Sequence, residues 1–295
     1  PSKENAGTVE IHNWDGETWT QTGSKLIGES PWDNSGTSIS LVNNGQTLAI
    51  GAPAAEAGRG HVRVYAWDGE SWIQNGSNIV GPENSGSSFG RSVKLTNDGT
   101  LLIVGAEWCD SNTGYVAVYE WDGESWIQRG SDLSGNHQGD VFGSSVDISD
   151  FGDYIIVGSP GDDTNADRSG KASVYEWDGD WILFSEVHGD LQYDRFGQDV
   201  AISDYGDVIA VSSDQADGSE GANNDIGMVR TYLKNDNEYN QIGQDFTGNS
   251  LNDKLGANMS LSASGETIAI SGHGVDVLFG NDGLVKVYDY NSRLE

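Results

Sequence analysis

The chain has a single cysteine, Cys109, in 295 residues, so no internal disulfide can form and stability has to come from packing. Proline is nearly as scarce, with five residues. Apolar residues never recur at the three- and four-residue spacing of an amphipathic helix, which excludes a helical solenoid. No run approaches the eighteen or so apolar residues of a membrane span, so membrane insertion is not expected. The opening PSKENAG lacks both the charged and the apolar parts of a signal peptide. Pro1 falls where a repeat would read "GAP", and with the closing Arg293-Leu294-Glu295 this suggests a domain excised from a longer chain with neighbouring domains.

Basic residues are the largest shortage. Fifteen Lys and Arg stand against 46 Asp and Glu, a net charge of −31. Such a balance repels nucleic acid and anionic lipid surfaces and attracts cations. Self-repulsion of this size is relieved by salt or bound cations, which fits a saline or calcium-rich setting. No cofactor is otherwise implied. A solubilising surface is the plainer reading of the charge.

Glycine and tryptophan are plentiful, at 41 and ten residues, and they fall in a pattern. The stretch VYEWDGESWIQRGSDL from Val118 has counterparts in HNWDGETWTQTGSKL from His12, VYAWDGESWIQNGSNI from Val64 and VYEWDGDWILF from Val174. The glycines opening the associated "VxVY" segments are Gly7, Gly60, Gly114, Gly170, Gly227 and Gly283, spaced 53 to 57 residues apart. That period holds four short strands. "GYVAVYEW" alternates with period two and is rich in β-formers, and "SWIQRG" follows a four-residue turn, so the two tryptophans flanking the turn become a cross-strand pair. Two further strands are read in "FGSSVDIS" and "YIIVGSP", joined through Asp150 to Asp153. Repetition at this length predicts an all-β fold: a β-propeller of four-stranded antiparallel blades, five in number, forming one domain over residues 1–295.

The signatures "FGRSV" at 89–93 with "VGA" at 104–106, "FGSSV" at 142–146 with "VGSP" at 157–160, and "IGAP" at 50–53 resemble FG-GAP repeats, those of integrin α-subunit propellers. The resemblance implies that the "FG" strand is innermost, "GAP" second, "VxVY" third and the Trp-bearing strand outermost, with the Trp pairs stapling neighbouring blades or offering sugar-stacking platforms. It also implies a cell-adhesion or recognition role at the cell surface or in secreted form. The family's calcium loops are not matched: "LTNDGT", "ISDFGD" and their counterparts carry one or two carboxylates, too few for the six to eight oxygens that calcium prefers.

Catalytic signatures are missing. His12, His61, His137, His188 and His273 fall at unrelated repeat positions and read as isolated surface residues, and no GxSxG elbow, phosphate loop or HExxH motif occurs. Paired carboxylates for glycoside hydrolysis remain an alternative, as does a lectin with one sugar site per repeat. The leading expectation is a non-catalytic module that binds protein or glycan through its long, unequal loops, since loops on a rigid scaffold carry binding residues. Trp32, Trp108, Asp162, Asp163, Asp217 and Asp276 are the candidate ligand contacts. Asp33, Asp140, Asp194 and Asp253 recur two places before the Phe-Gly position, with Ser87 as the exception, as either turn caps or cation ligands. Six "VxVY" strands exceed five "FG" strands, and the N-terminal "GTVEIHNW" and "TWTQTG" are expected to complete the last blade.

Overall fold

The computed structural model describes residues 4–42, 45–83, 86–217, 224–274 and 283–290. Among the described residues it is all-β apart from two single turns, Ala55–Gly58 and Cys109–Asn112, each of which contains three consecutive residues at positive φ. The chain divides into two compact units, residues 1–133 and 134–295.

In the first unit, blade A orders its strands Ser38–Leu41, Thr47–Ala52, His61–Trp67 and Trp72–Gln74. Blade B repeats the order with Ser92–Leu95, Leu101–Ala106, Tyr115–Trp121 and Trp126–Gln128. All pairs are antiparallel. The second unit holds blade C (Val146–Ile148, Tyr154–Ser159, Lys171–Trp177, Trp181–His188) and blade D (Val200–Ile202, Val208–Ser213, Met228–Lys234, Tyr239–Thr247). Blade E has three strands among the described residues, Leu255–Leu261, Thr267–Gly272 and Leu284–Asp289. These are the five blades of a β-propeller fold, in the strand order that the resemblance to FG-GAP repeats implies.

The second strand of each of blades A to D reads as an almost continuous apolar run, such as LLIVGA, and is buried along nearly its whole length, as a strand covered on both faces should be. The first strand of each blade lies against that of the next within a unit. In the second unit Asp147 accepts a hydrogen bond from the Ile202 amide at 3.0 Å, and Asp199 accepts one from the Met259 amide at 2.8 Å, so buried carboxylates tie consecutive blades together.

The hairpins follow their turn chemistry. Asp122 accepts from the amides of Glu124 and Ser125 at 2.8 Å each, and Asp15 and Asp68 do the same in their own copies. This places Trp121 directly opposite Trp126, with ring centroids 5.4 Å apart; Trp14–Trp19, Trp67–Trp72 and Trp177–Trp181 match it. In the first unit the second and third pairs each seat on a glycine of the preceding hairpin. A Cβ at Gly23 would lie 2.8 Å from Trp67 and 2.9 Å from Trp72, and Gly76 stands in the same relation to Trp121 and Trp126. Trp72 Nε1 donates to the Thr22 carbonyl at 3.1 Å. These four tryptophans therefore staple one repeat to the next.

One expectation is overturned. The third place in blade E is filled by Leu284–Asp289, which pairs along all six residues of Thr267–Gly272. Because Leu255–Leu261 occupies the other edge of Thr267–Gly272, no edge is left there for the N-terminal strands. Those pair among themselves instead, His12–Trp14 with Trp19–Gln21 and Thr8–Val9 with Leu26–Ile27.

Candidate functional site

Trp32 and Trp108 belong to no hairpin pair and are both more than half exposed, at 59% and 55%. Trp32 adopts φ 71°, a left-handed conformation, and its amide is held by the Glu4 carbonyl at 3.0 Å. Its cleft, of about 400 Å³, is lined by Glu29, Pro31, Asp33, Ala55, Glu56 and His61, among others. A second cleft of about 410 Å³ carries Trp108 with Pro53, Ser88 and Arg91. Ala54 lines both, so the two exposed tryptophans border adjoining hollows of the first unit.

The four recurrent aspartates are buried and face inward to backbone. Asp33 accepts from the Ser30 amide at 2.7 Å; Asp140 from Asn136 and His137 at 2.8 and 2.9 Å; Asp253 from Asn249 and Ser250 at 2.8 and 2.9 Å. This is turn capping, in which a carboxylate satisfies amides that the turn leaves without partners. Among the described residues no group of three or more His, Cys, Asp or Glu side chains is placed to hold a metal ion.

Asp194 is the most weakly bonded member of the set. Its bonds from Leu191 and Asp217 are long, at 3.2 and 3.4 Å, and it lines a cleft of about 500 Å³ with Asp190, Met228, Arg230 and Asp245. Burial pushes its carboxyl up to about 6 from the ordinary 3.8, with the charges of Asp217 and Asp190 adding to the rise. The native state therefore keeps a proton that the unfolded chain has released. Its favourable contribution is complete below the unfolded value and is lost as pH rises through about 6. Two units correspond to about 3 kcal/mol. Asp194→Asn keeps an oxygen for the Leu191 amide but cannot titrate, so its melting temperature should exceed that of the parent at pH 7 and converge with it, or fall below, near pH 4. Parallel melting curves across that range check this; an unchanged difference would refute it.

The other sequence-selected acids divide by environment. Asp162 is 1% exposed, and its carboxylate is committed to the Thr164 amide at 2.9 Å and the Lys171 ammonium at 3.2 Å. Asp163 is exposed and accepts from the Arg168 amide at 2.7 Å. Asp217 caps its own loop by accepting from Asn224 and Asp225. Asp276 lies outside the described residues.

The histidine expectation fails at one position. His61 is not a surface residue: it is 1% exposed, and neither ring nitrogen has a hydrogen-bond partner. The sequence signal was available, since His61 follows Gly60, the glycine that opens the third strand in every repeat. The equivalent positions are Tyr115, Lys171 and Met228, so one structural place carries a different side chain in each blade.

With the blades and loops in place, the comparisons agree on the class of protein, that of the β-propellers. A functionally unknown protein from Desulfotomaculum acetoxidans has a similar structure at TM-score 0.61 and 12% identity, over 98% of this chain and 84% of its own. The periplasmic gluconolactonase of Pseudomonas aeruginosa is similar at TM-score 0.58 and 15% identity, over 91% of this chain and 73% of its own. At these identities the likeness concerns the fold alone. No curated protein matches the sequence. Within the propeller class the repeat is specific: residues 134–175, which contain "FGSSV" and "VGSP", match the FG-GAP repeat family.

Proposed function

We propose that the protein is a non-catalytic recognition module that works outside the cytoplasm and engages a protein or glycan ligand through the loops of its first unit. The observation that carries this is the pair of exposed indoles, Trp32 and Trp108, on adjoining clefts that share Ala54. Tryptophan is over-represented among residues that dominate binding, where truncation typically costs about 2 kcal/mol or more. Trp67, Trp72, Trp121 and Trp126 are used in holding repeats together, whereas Trp32 and Trp108 are held by no such staple. Long acidic loops add attraction to a basic ligand, and that attraction should weaken as salt rises.

The test is a screen of immobilised proteins and glycans, followed by variants. Trp32→Ala with Trp108→Ala should weaken the ligand found by about thirtyfold, the equivalent of about 2 kcal/mol. Asp122→Ala with Asp178→Ala, on hairpin turns, should leave binding intact. The reverse pattern, with folding preserved, would place recognition on the turns.

A further inference from the structure

We propose that the cleft of blade A is a receptor for the side-chain ammonium of a lysine presented by a protein partner, held by His61, Glu29 and Glu56 and covered by Trp32. This rests on the reading of the first unit's loops as a recognition surface and names what one hollow of that surface takes.

The starting point is the unpartnered imidazole. A buried polar group without a hydrogen bond costs about 1–3 kcal/mol, so a side chain left in that state at the wall of an open cleft is a place where a ligand gains what the protein alone forgoes. His61 lines the cleft, and its Nδ1 stands 3.9 Å from the Glu56 carboxylate, beyond hydrogen-bond range. Burial, helped by the neighbouring Arg63 guanidinium, holds the imidazole below its ordinary range against the opposing pull of Glu29, Asp33 and Glu56. It is therefore neutral at pH 7, with a free acceptor lone pair.

The inventory of the cleft selects the ligand's chemistry. Glu56, Glu29, which already takes one hydrogen bond from the Asn78 side chain at 2.8 Å, and the unprotonated nitrogen of neutral His61 are acceptors, and the Asp33 carboxylate is already used by the Ser30 amide. A saccharide carries hydroxyls that both donate and accept, whereas an ammonium only donates, three times, and matches an acceptor-rich cleft. Pro31, Ala54, Ala55 and Ala57 give an apolar wall for a methylene stem, and an exposed indole face attracts a cation. The protein supplies its own precedent. At the place in blade C equivalent to His61 stands Lys171, its ammonium 3.2 Å from Asp162 and 2.8 Å from Glu186. Blade C fills this position from within; blade A leaves a histidine and two exposed glutamates facing an open hollow.

The experiment titrates the intact protein with an N-acetylated, C-amidated Gly-Lys-Gly peptide, with its Nε-acetyl-lysine counterpart, and with a glucosamine oligomer, following the His61 and Trp32 ring signals by NMR. The lysine peptide should shift both signals, and the acetylated peptide and the amino sugar should shift neither. Binding should weaken by up to about tenfold per pH unit once His61 takes up a proton, because the imidazolium repels the ammonium. Glu29→Gln with Glu56→Gln, both at exposed positions, should weaken the peptide at least about fivefold, in the range set by losing two partly exposed charges; Glu70→Gln with Glu124→Gln should not. Equal binding of the acetylated peptide, binding of the amino sugar in place of lysine, or an unmoved His61 signal would overturn the proposal. Trp108→Ala separates the two readings: it should weaken the screened ligand while leaving the lysine peptide unaffected.

Discussion

Gly60→Ala is expected to destabilise the first unit by about 4 kcal/mol or more, the range reserved for changes that no local adjustment can absorb. Gly60 has φ +78°, and a Cβ there would fall 2.2 Å from the Phe89 carbonyl oxygen and 2.7 Å from its nitrogen. The obstacle is the backbone of the next blade, which cannot swing aside as a side chain would. Gly7, Gly170 and Gly227 meet the same contact against Ser35, Phe196 and Leu255, so this glycine is where the third strand of one blade closes on the chain entering the next. Gly69→Ala is the control. Its φ is +103° but nothing lies within 4 Å of the added methyl, so it should lose only the conformational term, about 1 kcal/mol. Denaturant unfolding of the two variants measures the difference; equal losses would mean that close approach contributes nothing.

Lys171→Met should cost the second unit about 3–5 kcal/mol, the usual result of removing one partner from a buried ion pair. Lys171 is 4% exposed and bridges Asp162 and Glu186. Methionine fills the space but leaves the Asp162 carboxylate buried without its counter-charge. Burial by itself raises the Asp162 value, yet bonds from Thr164 and the charge of Lys171 outweigh it and hold the carboxyl below its ordinary 3.8. That contribution is present above the unfolded value and is lost as pH falls through the folded one. Without Lys171 the carboxyl should rise and protonate more readily, so the deficit should be greatest at pH 7 and shrink towards pH 4. Adding Asp162→Asn to Lys171→Met should recover part of the loss at pH 7. A deficit independent of pH, with no recovery in the double variant, would show that packing rather than charge explains it.

The five blades and the Trp-on-Trp hairpins were legible because each depends on residues close in sequence, and the strand order followed from the resemblance to FG-GAP repeats. Alternation, the Asp-Gly turn and the recurring glycine act within a single repeat, and repetition multiplied a weak signal. The seating of Trp67 and Trp72 on Gly23 was also written in the pattern, as the glycine of "TQTGSKL", but its partner lies some fifty residues away and only the folded chain shows the contact.

The candidate site was read less completely for a related reason. Trp32 and Trp108 stood out as tryptophans outside the hairpins, and the structure leaves both indoles exposed. For the acids, composition could not distinguish a carboxylate facing solvent, such as Asp163, from one buried beside a lysine, such as Asp162. His61 was misread because only its place after Gly60 marks it as a third-strand residue, and the segments that line its cleft, residues 29–33 and 54–57, meet it only in the folded chain.

The sequence by itself determined the repeat, the strand type and order within each blade, and the glycine and tryptophan positions that repetition requires. Tertiary structure alone decided which strand takes the third place in blade E, which aspartates cap turns and which side chains, His61 among them, are buried without a partner. Edge pairing, burial and hydrogen bonding are settled between segments distant in the chain, where the local preferences of a residue have no information about what it will meet.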